Sequence, residues 1–522
     1  MAYIPPEIWL YVGSFIPDEA LSQIRCVNKA FLDLAMNVRW REVTITTRNI
    51  SQAMRILHRI SDPFVARRMR ALVLRLATPD PIMCNMTLDP LFLERRPGSH
   101  ITNLSDFCLD SFGAVLDVFV SASCRFLTLS TLTLDFSLVA PAYRLRLEPF
   151  FSSLWPSIGH RLNALSLKGN LKGYRTLLRS APVLSYVREL SLELINNPHD
   201  ADVDDDADVL LEAIAPFVNA LSPRLEDLKI RSHPSHSLSA DLSPFFIYLS
   251  SFPVLSSLDL HLVLNKPFCD PRGLQALIAN TSPTLQKLGL RLNPSGFAMD
   301  SMVEERLAPL LLDSILDSDS FTRIESLDIY PTREPEGPLI VLSFLRRSSE
   351  HLKEIIIRDR YFHVEEVVLV VEAASECRSL TSMQFNVWYL DILLLDRLAV
   401  KLPHLQSLKI STVESSIDGF PVCISFYGLL TCIGRLTLIN NKYLFIQELK
   451  SRSYVGWKLM DISVCYGDRE VDSETMRALG RSIPSVTSFF GRGHKDFKAA
   501  NQKMLFANSL GSRFDGLFCS SA

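Results

Sequence analysis

Paired cysteines are the first thing this sequence lacks. Ten cysteines lie singly between Cys26 and Cys519 in 522 residues, with no CxxC and no His/Cys cluster at zinc spacing. That excludes a disulfide framework and a finger-type metal site, and it suits reduced, partly buried thiols in the cytosol or nucleus. An excess of one charge is missing too. The formal net charge is −3, with charged residues at 21%, so neither nucleic acid nor a membrane surface is expected as a partner. Apolar runs such as VVLVV at Val367 to Val371 fall well short of a spanning segment. The opening MAYIPPEIWL puts two prolines and a glutamate where a secretory signal carries its apolar core. The expectation is a cytoplasmic and/or nuclear protein, in which the N-x-S/T matches at Asn49, Asn85, Asn103 and Asn280 have no role.

Catalytic signatures are absent as well. There is no nucleophile elbow, P-loop, HExxH, GxGxxG or kinase set. His233 and His236 share a polar stretch with no acidic or cysteine partner at ligand spacing. The acidic run Asp200 to Asp208 lacks the glycine and terminal glutamate of a calcium loop. It reads as a solvated loop whose last member, Asp208, caps a helix. Arg67, Arg68 and Arg70 read as a small solvent-facing patch. No enzyme activity and no cofactor are expected.

What is present is a repeat of the form apolar-x-x-apolar-x-apolar. Clear copies start at Leu162, Val187, Leu225, Leu255, Leu285, Ile324, Leu352, Leu380, Leu405, Ile433 and Leu459. Weaker ones start at Met69, Leu104, Leu129 and Val486. From Leu72 to Phe489 the fourth positions recur at a mean spacing of about 30 residues. Between copies the pattern turns helical, as in LQALIAN after Asp270-Pro271, and in segments from Glu304, Pro338, Glu365 and Leu390. Pro223, Pro253, Pro283, Pro403 and Pro484 each stand five residues before a fourth position, where proline ends a helix and sets the turn into a strand.

Helix, proline turn and short strand at this period predict an α/β fold. It is an irregular leucine-rich-repeat solenoid over residues 46–522, with a curved parallel sheet inside, helices outside and a C-terminal cap. The cap should include a helix from about Lys495 to Asn508. Asparagine three residues after the second strand leucine recurs only at Asn170, Asn293 and Asn441, so loops of varied length are expected, with insertions around 201–215 and 293–315.

Residues 4 to 43 differ from the repeat. Pro5, Pro6 and Glu7 suit a first helical turn, Ile8, Val12 and Phe15 recur on one face, and Pro17 breaks the helix. Asp18 can cap a second helix carrying Leu21 and Ile24, and a third from about Asn28 carries Phe31, Leu34 and Ala35. Helices this short cannot bury all their apolar residues against one another, so a partner or the following domain must cover the remainder.

This block, taken as a domain over residues 1–45, resembles the F-box family. Ile4, Pro5, Glu7 and Ile8 match the family's opening, Ile16 and Pro17 its hinge, and Leu21, Val27, Lys29 and Trp40 its later positions. Ala20, Asn28 and Phe31 depart from it. The resemblance implies docking onto a Skp-type adaptor and a cullin–RING ligase, through Ile4, Pro5, Ile8, Val12, Leu21, Val27 and Phe31. It implies that the chain is the substrate-recognition subunit of a Skp–cullin–F-box E3 ubiquitin ligase, with an unknown protein as target. A repeat scaffold with no ligase role shares every feature outside this block.

In such a repeat the residue between the strand leucines, and the one after, face the concave side. That set comprises Lys168, Glu193, Lys229, Arg231, Asp259, His261, Arg291, Asp328, Tyr330, Arg358, Asn386 and Lys409. Lys229, Arg231, Arg291, Arg358 and Lys409 are the candidate target-binding residues, and they suggest an acidic or phosphorylated segment.

Overall fold

The computed structural model describes residues 5–79, 104–179, 181, 184–195, 207–232, 241–264, 266, 268–294, 301–316, 321–412, 445–466, 469–470 and 473–493. The chain divides into two compact units, residues 1–284 with 294–303 and residues 285–293 with 304–522.

The first unit opens with three helices, α1 (Pro6–Gly13), α2 (Asp18–Ile24) and α3 (Lys29–Arg41). Leu21, Phe31 and Ala35 form their core, with Trp9, Ile16, Ile24, Leu34 and Val38 packed around it. The Trp9 and Phe31 rings meet edge to face at 5.4 Å. Asn28, a departure from the family pattern, caps α3 by accepting from the Phe31 N–H at 2.9 Å. Asp18 does not cap α2: Pro17 holds that position and Asp18 is its first residue.

No linker follows. α3 ends at Arg41 and β1 (Glu42–Thr46) starts at the next residue, inside the span expected for the helical domain. Six more strands follow: β2 (Ala71–Ala77), β3 (Thr131–Leu138), β4 (Ala164–Asn170), β5 (Glu189–Ile195), β6 (Asp227–Ser232) and β7 (Ser257–Leu264). All pair in parallel and in sequence order. The repeat's apolar positions alternate inward along each strand, as in Leu72, Leu74 and Leu76 of β2. Phe136 packs against Gly169 of β4 and against the helix that follows, Leu171–Arg179, so closely that a Cβ at Gly173 of that helix would lie 2.7 Å from its ring, which is why residues without a side chain stand there.

The second unit repeats the plan with β8 (Lys287–Pro294), β9 (Ser326–Ile329), β10 (Glu354–Phe362), β11 (Ser382–Val387), β12 (Ser407–Thr412), β13 (Asp461–Tyr466) and β15 (Ser488–Phe489). These pair in parallel and in order. The two-residue strands β14 (Arg469–Glu470) and β16 (Arg492–Gly493) pair antiparallel with β13 and β15. Helices Gly337–Arg347, Val364–Ala374 and Ile392–Lys401 fall where the helical period placed them. One strand per repeat, in chain order, with a helix between most neighbours, is the topology of a leucine-rich-repeat solenoid.

Several expectations shift. The copy at Leu104 is not a strand but the start of helix Leu104–Ser123. The copy at Ile433, Asn441 and the helix from Lys495 lie outside the described residues. The stretches expected as insertions are helical where described: Leu210–Ile214 is a π-helical turn running into helix Ala215–Leu221, and Ser301–Leu316 is a helix. Asp208 sits within that first helical stretch rather than before it. The repeat also starts earlier than expected. Trp40, Val43 and Ile45 have its spacing, and the last two are buried on β1.

Candidate interaction surfaces

The N-terminal block leaves an apolar face uncovered. Ile8 is 51% exposed, Phe15 71% and Val27 63%, and Leu10, Tyr11, Val12 and Leu32 are exposed with them. Tyr11 and Phe15 pack edge to face at 5.1 Å. An apolar side chain of this size gains about 1.5–3 kcal/mol on full burial, so the face is a store of association energy. Of the residues matched to adaptor docking, Pro5, Ile8, Val12 and Val27 lie on the surface. Leu21 and Phe31 do not: they are 3% and 5% exposed and hold the three helices together. Ile4 lies outside the described residues.

Arg68 ties this block to the first repeat. Its guanidinium pairs with Asp33 of α3 at 2.7 Å, with its own side chain only 7% exposed, and stacks over the Phe64 ring at 3.7 Å. It is therefore not part of a solvent-facing patch.

The strand face of the first unit is charged, and its charges alternate. Across β2 to β6 the register sets Arg75 beside Asp135, Asp135 beside Lys168, Lys168 beside Glu193 and Glu193 beside Arg231. Each stands one position after the last strand leucine or isoleucine of its repeat, so the signal was legible once repeats were aligned by register. Lys168 pairs with Glu193 at 2.7 Å, and the Arg231 Nε donates to Asp259 at 3.0 Å. Lys229 pairs with Asp227 of its own strand at 3.0 Å.

In the second unit the pairing is less regular. β10 loses register with β11 between Ile356 and Tyr361, around Asp359, whose φ of 59° is left-handed. Arg291 and Asn293 of β8 both donate to the Asp359 carboxylate, at 2.6 and 2.9 Å. Arg358 donates to Asp328 at 2.6 Å. Four of the five candidate target-binding cations therefore face a carboxylate, leaving Lys409 exposed and without an ion pair among the described residues. The positive excess behind the acidic-target expectation is largely cancelled. Tyr330 and Asn386 are also misplaced by the sequence reading. Tyr330 is 2% exposed and donates to the buried Glu304 carboxylate, and this burial with the Glu304 bond holds its phenol above the ordinary tyrosine range. Asn386 is buried and its amide donates to the Arg360 carbonyl at 3.3 Å.

Among the described residues, no three His, Cys, Asp or Glu side chains gather as a metal site, and no helix is long and apolar enough to cross a membrane. His233, His236 and the acidic run before Ala207 lie outside the described residues.

No protein-family model matches the chain, and no curated protein matches it. Among solved structures, a chain from the crystal structure of the yeast Rad7 and Elc1 complex aligns over 94% of this chain and 99% of its own length. The two are 14% identical with a TM-score of 0.42.

Proposed function

We propose that this chain is the substrate-recognition subunit of a Skp–cullin–F-box type ubiquitin ligase. The three-helix block docks the Skp adaptor and the repeats hold a target protein, in the cytoplasm and/or nucleus. The chain itself makes and breaks no bonds in this reading. Its work is to raise the effective concentration of a target lysine near the conjugating enzyme brought by the RING partner.

The observation that carries the reading is the uncovered apolar face of Ile8, Val12, Phe15 and Val27. It lies on the block whose sequence order resembles the F-box, and a partner is needed to cover it. The direct passage of α3 into β1, with the Arg68–Asp33 pair across the junction, suits a subunit that must hold its target at a set distance from the ligase.

The test is capture of purified Skp adaptor by the full chain, wild type against Ile8→Asp and Phe15→Asp. Both sites are exposed, so neither change should unfold the block. The expected result is binding by wild type and at least tenfold loss in each variant, matching one or two buried side chains. Failure of the wild-type chain to bind leaves a repeat scaffold with no ligase role.

A further inference from the structure

The second unit carries an aromatic platform where β10 and β11 end. After the register break, Tyr361 of β10 and His363, which follows the strand, stand beside Trp388, just beyond β11. The Tyr361 and Trp388 rings lie 5.7 Å apart, and His363 stacks on Trp388 at 5.8 Å with 22° between planes. Tyr389 follows with 70% of its surface exposed. The rings touch one another, so they offer faces and no cage. Over residues 360–366 and 386–391 the charged side chains are Arg360, Glu365, Glu366 and Asp391. Arg360 is spent on Glu366 at 2.7 Å. Asp391 caps the next helix by accepting from the Leu394 N–H, a bond that leaves its negative charge in place. Glu365 is exposed. The rim is thus aromatic and net negative.

We propose that this platform is a docking site for a basic, arginine- or lysine-bearing segment of a protein partner. The cation lies on the Trp388 or Tyr389 ring face, with Glu365 and Asp391 supplying the countercharge. Ring quadrupole and carboxylates attract the same guanidinium or ammonium group, whereas an acidic segment is repelled by both. The site rests on the reading of the repeats as a target-binding surface, but not on adaptor docking.

The experiment titrates the full chain, without adaptor, with an alternating Arg–Gly peptide, following affinity by calorimetry and shielding of Trp388 by acrylamide quenching, taken as the difference from Trp388→Phe because the chain has five tryptophans. Peptides of equal length built on Glu–Gly and on proline run alongside. The Arg–Gly peptide should bind saturably and shield Trp388. Affinity should fall about tenfold in Trp388→Ala and severalfold in Tyr389→Ala and Glu365→Gln, and persist in Trp388→Phe. Tyr389 and Glu365 are exposed, so their variants report even if Trp388→Ala misfolds. The proposal is overturned if the Glu–Gly or proline peptide binds as well, or if Tyr389→Ala and Glu365→Gln leave Arg–Gly affinity unchanged. Concentration-dependent self-association that shields Trp388 without peptide also overturns it, in favour of a second copy.

Discussion

Along the strand face of the first unit, charges alternate in register from Arg75 on β2 to Arg231 on β6, and no described non-glycine residue has a left-handed backbone. In the second unit Phe321, Thr332, Asp359 and Phe490 all do, and β10 slips against β11. The start of each repeat is the same in both. Backbone bonds of 2.8–2.9 Å link Asn163, Arg188, Glu226 and Ser256 in one, and bonds of 2.8–2.9 Å link Glu325, Lys353, Thr381 and Gln406 in the other. The repeat therefore dictates how each strand begins, and the units differ in how it ends. A left-handed non-glycine residue costs about 1–3 kcal/mol. Here the cost is offset by side chains that grip the distorted backbone, and the aromatic rim stands directly after one such point.

The sharpest way to break the contrast is to remove a grip. Arg360 is 7% exposed, and it donates to the carbonyls of Thr332 and Glu334 at 2.9 and 2.7 Å and to Glu366 at 2.7 Å. Arg360→Met takes this donor from the Thr332 carbonyl and leaves the Glu334 carbonyl and the Glu366 carboxylate with only the Gly337 and His363 N–H groups, so urea unfolding should show a loss of about 2–3 kcal/mol. Arg231→Met in the first unit, where the arginine side chain is 48% exposed, should cost under about 1 kcal/mol by the same measurement. Equal losses would erase the distinction.

Alkaline pH gives a second comparison. Burial pushes the Cys377 thiol up to about 11 in the second unit. Burial raises the Tyr174 phenol in the first unit and Tyr330 in the second, with Glu193 and Glu304 adding to it respectively. These groups stay neutral in the native state while the unfolded chain ionises them, so their stabilisation is complete below the ordinary values and lost as pH rises. Denaturant midpoints should begin to fall above about pH 9, where an unfolded thiol ionises, and steepen above about 10. Each phenol adds up to about 1.4 kcal/mol per pH unit there. Cys377→Ala should delay the onset, and Tyr174→Phe and Tyr330→Phe should each flatten the upper limb.

Much of this fold was legible because its signal is local and recurrent. Leucine spacing located the strands, the helical period located the helices between them, and Pro223, Pro253, Pro283, Pro403 and Pro484 located turns. The LSDFCL run at Leu104 fits both periods, and only the length of helix Leu104–Ser123, with Leu116 and Phe119 buried along it, decides for helix. Trp40, Val43 and Ile45 were overlooked as a repeat because they close the helical block. The surfaces were less legible. Spacing puts Tyr330 and Asn386 on the strand face, yet both are buried, Tyr330 against Glu304 and Asn386 against the Arg360 carbonyl. Nor does residue type reveal that Arg291, across two strands, is committed to Asp359. Likewise Leu21 and Phe31 match docking positions by order, yet packing alone determines which side of a short helix faces inward.

The smallest expected effect separates a row of charges from a set of pairs. Lys168→Glu places a carboxylate between Asp135 and Glu193, and Glu193→Lys places a cation between Lys168 and Arg231. Each should cost about 0.5–1 kcal/mol at low salt. If Lys168 and Glu193 formed an isolated pair, the double exchange would restore stability fully. In a row it does not, because the exchanged carboxylate now adjoins Asp135 and the exchanged cation adjoins Arg231. A residual deficit of about 0.5 kcal/mol should therefore remain in urea unfolding of the double variant. It should shrink as salt shortens the screening length from about 10 Å at 0.1 M to about 3 Å at 1 M. Full recovery at low salt would show that the pairs act independently, and the order in the first unit's strand face would then lie in its backbone alone.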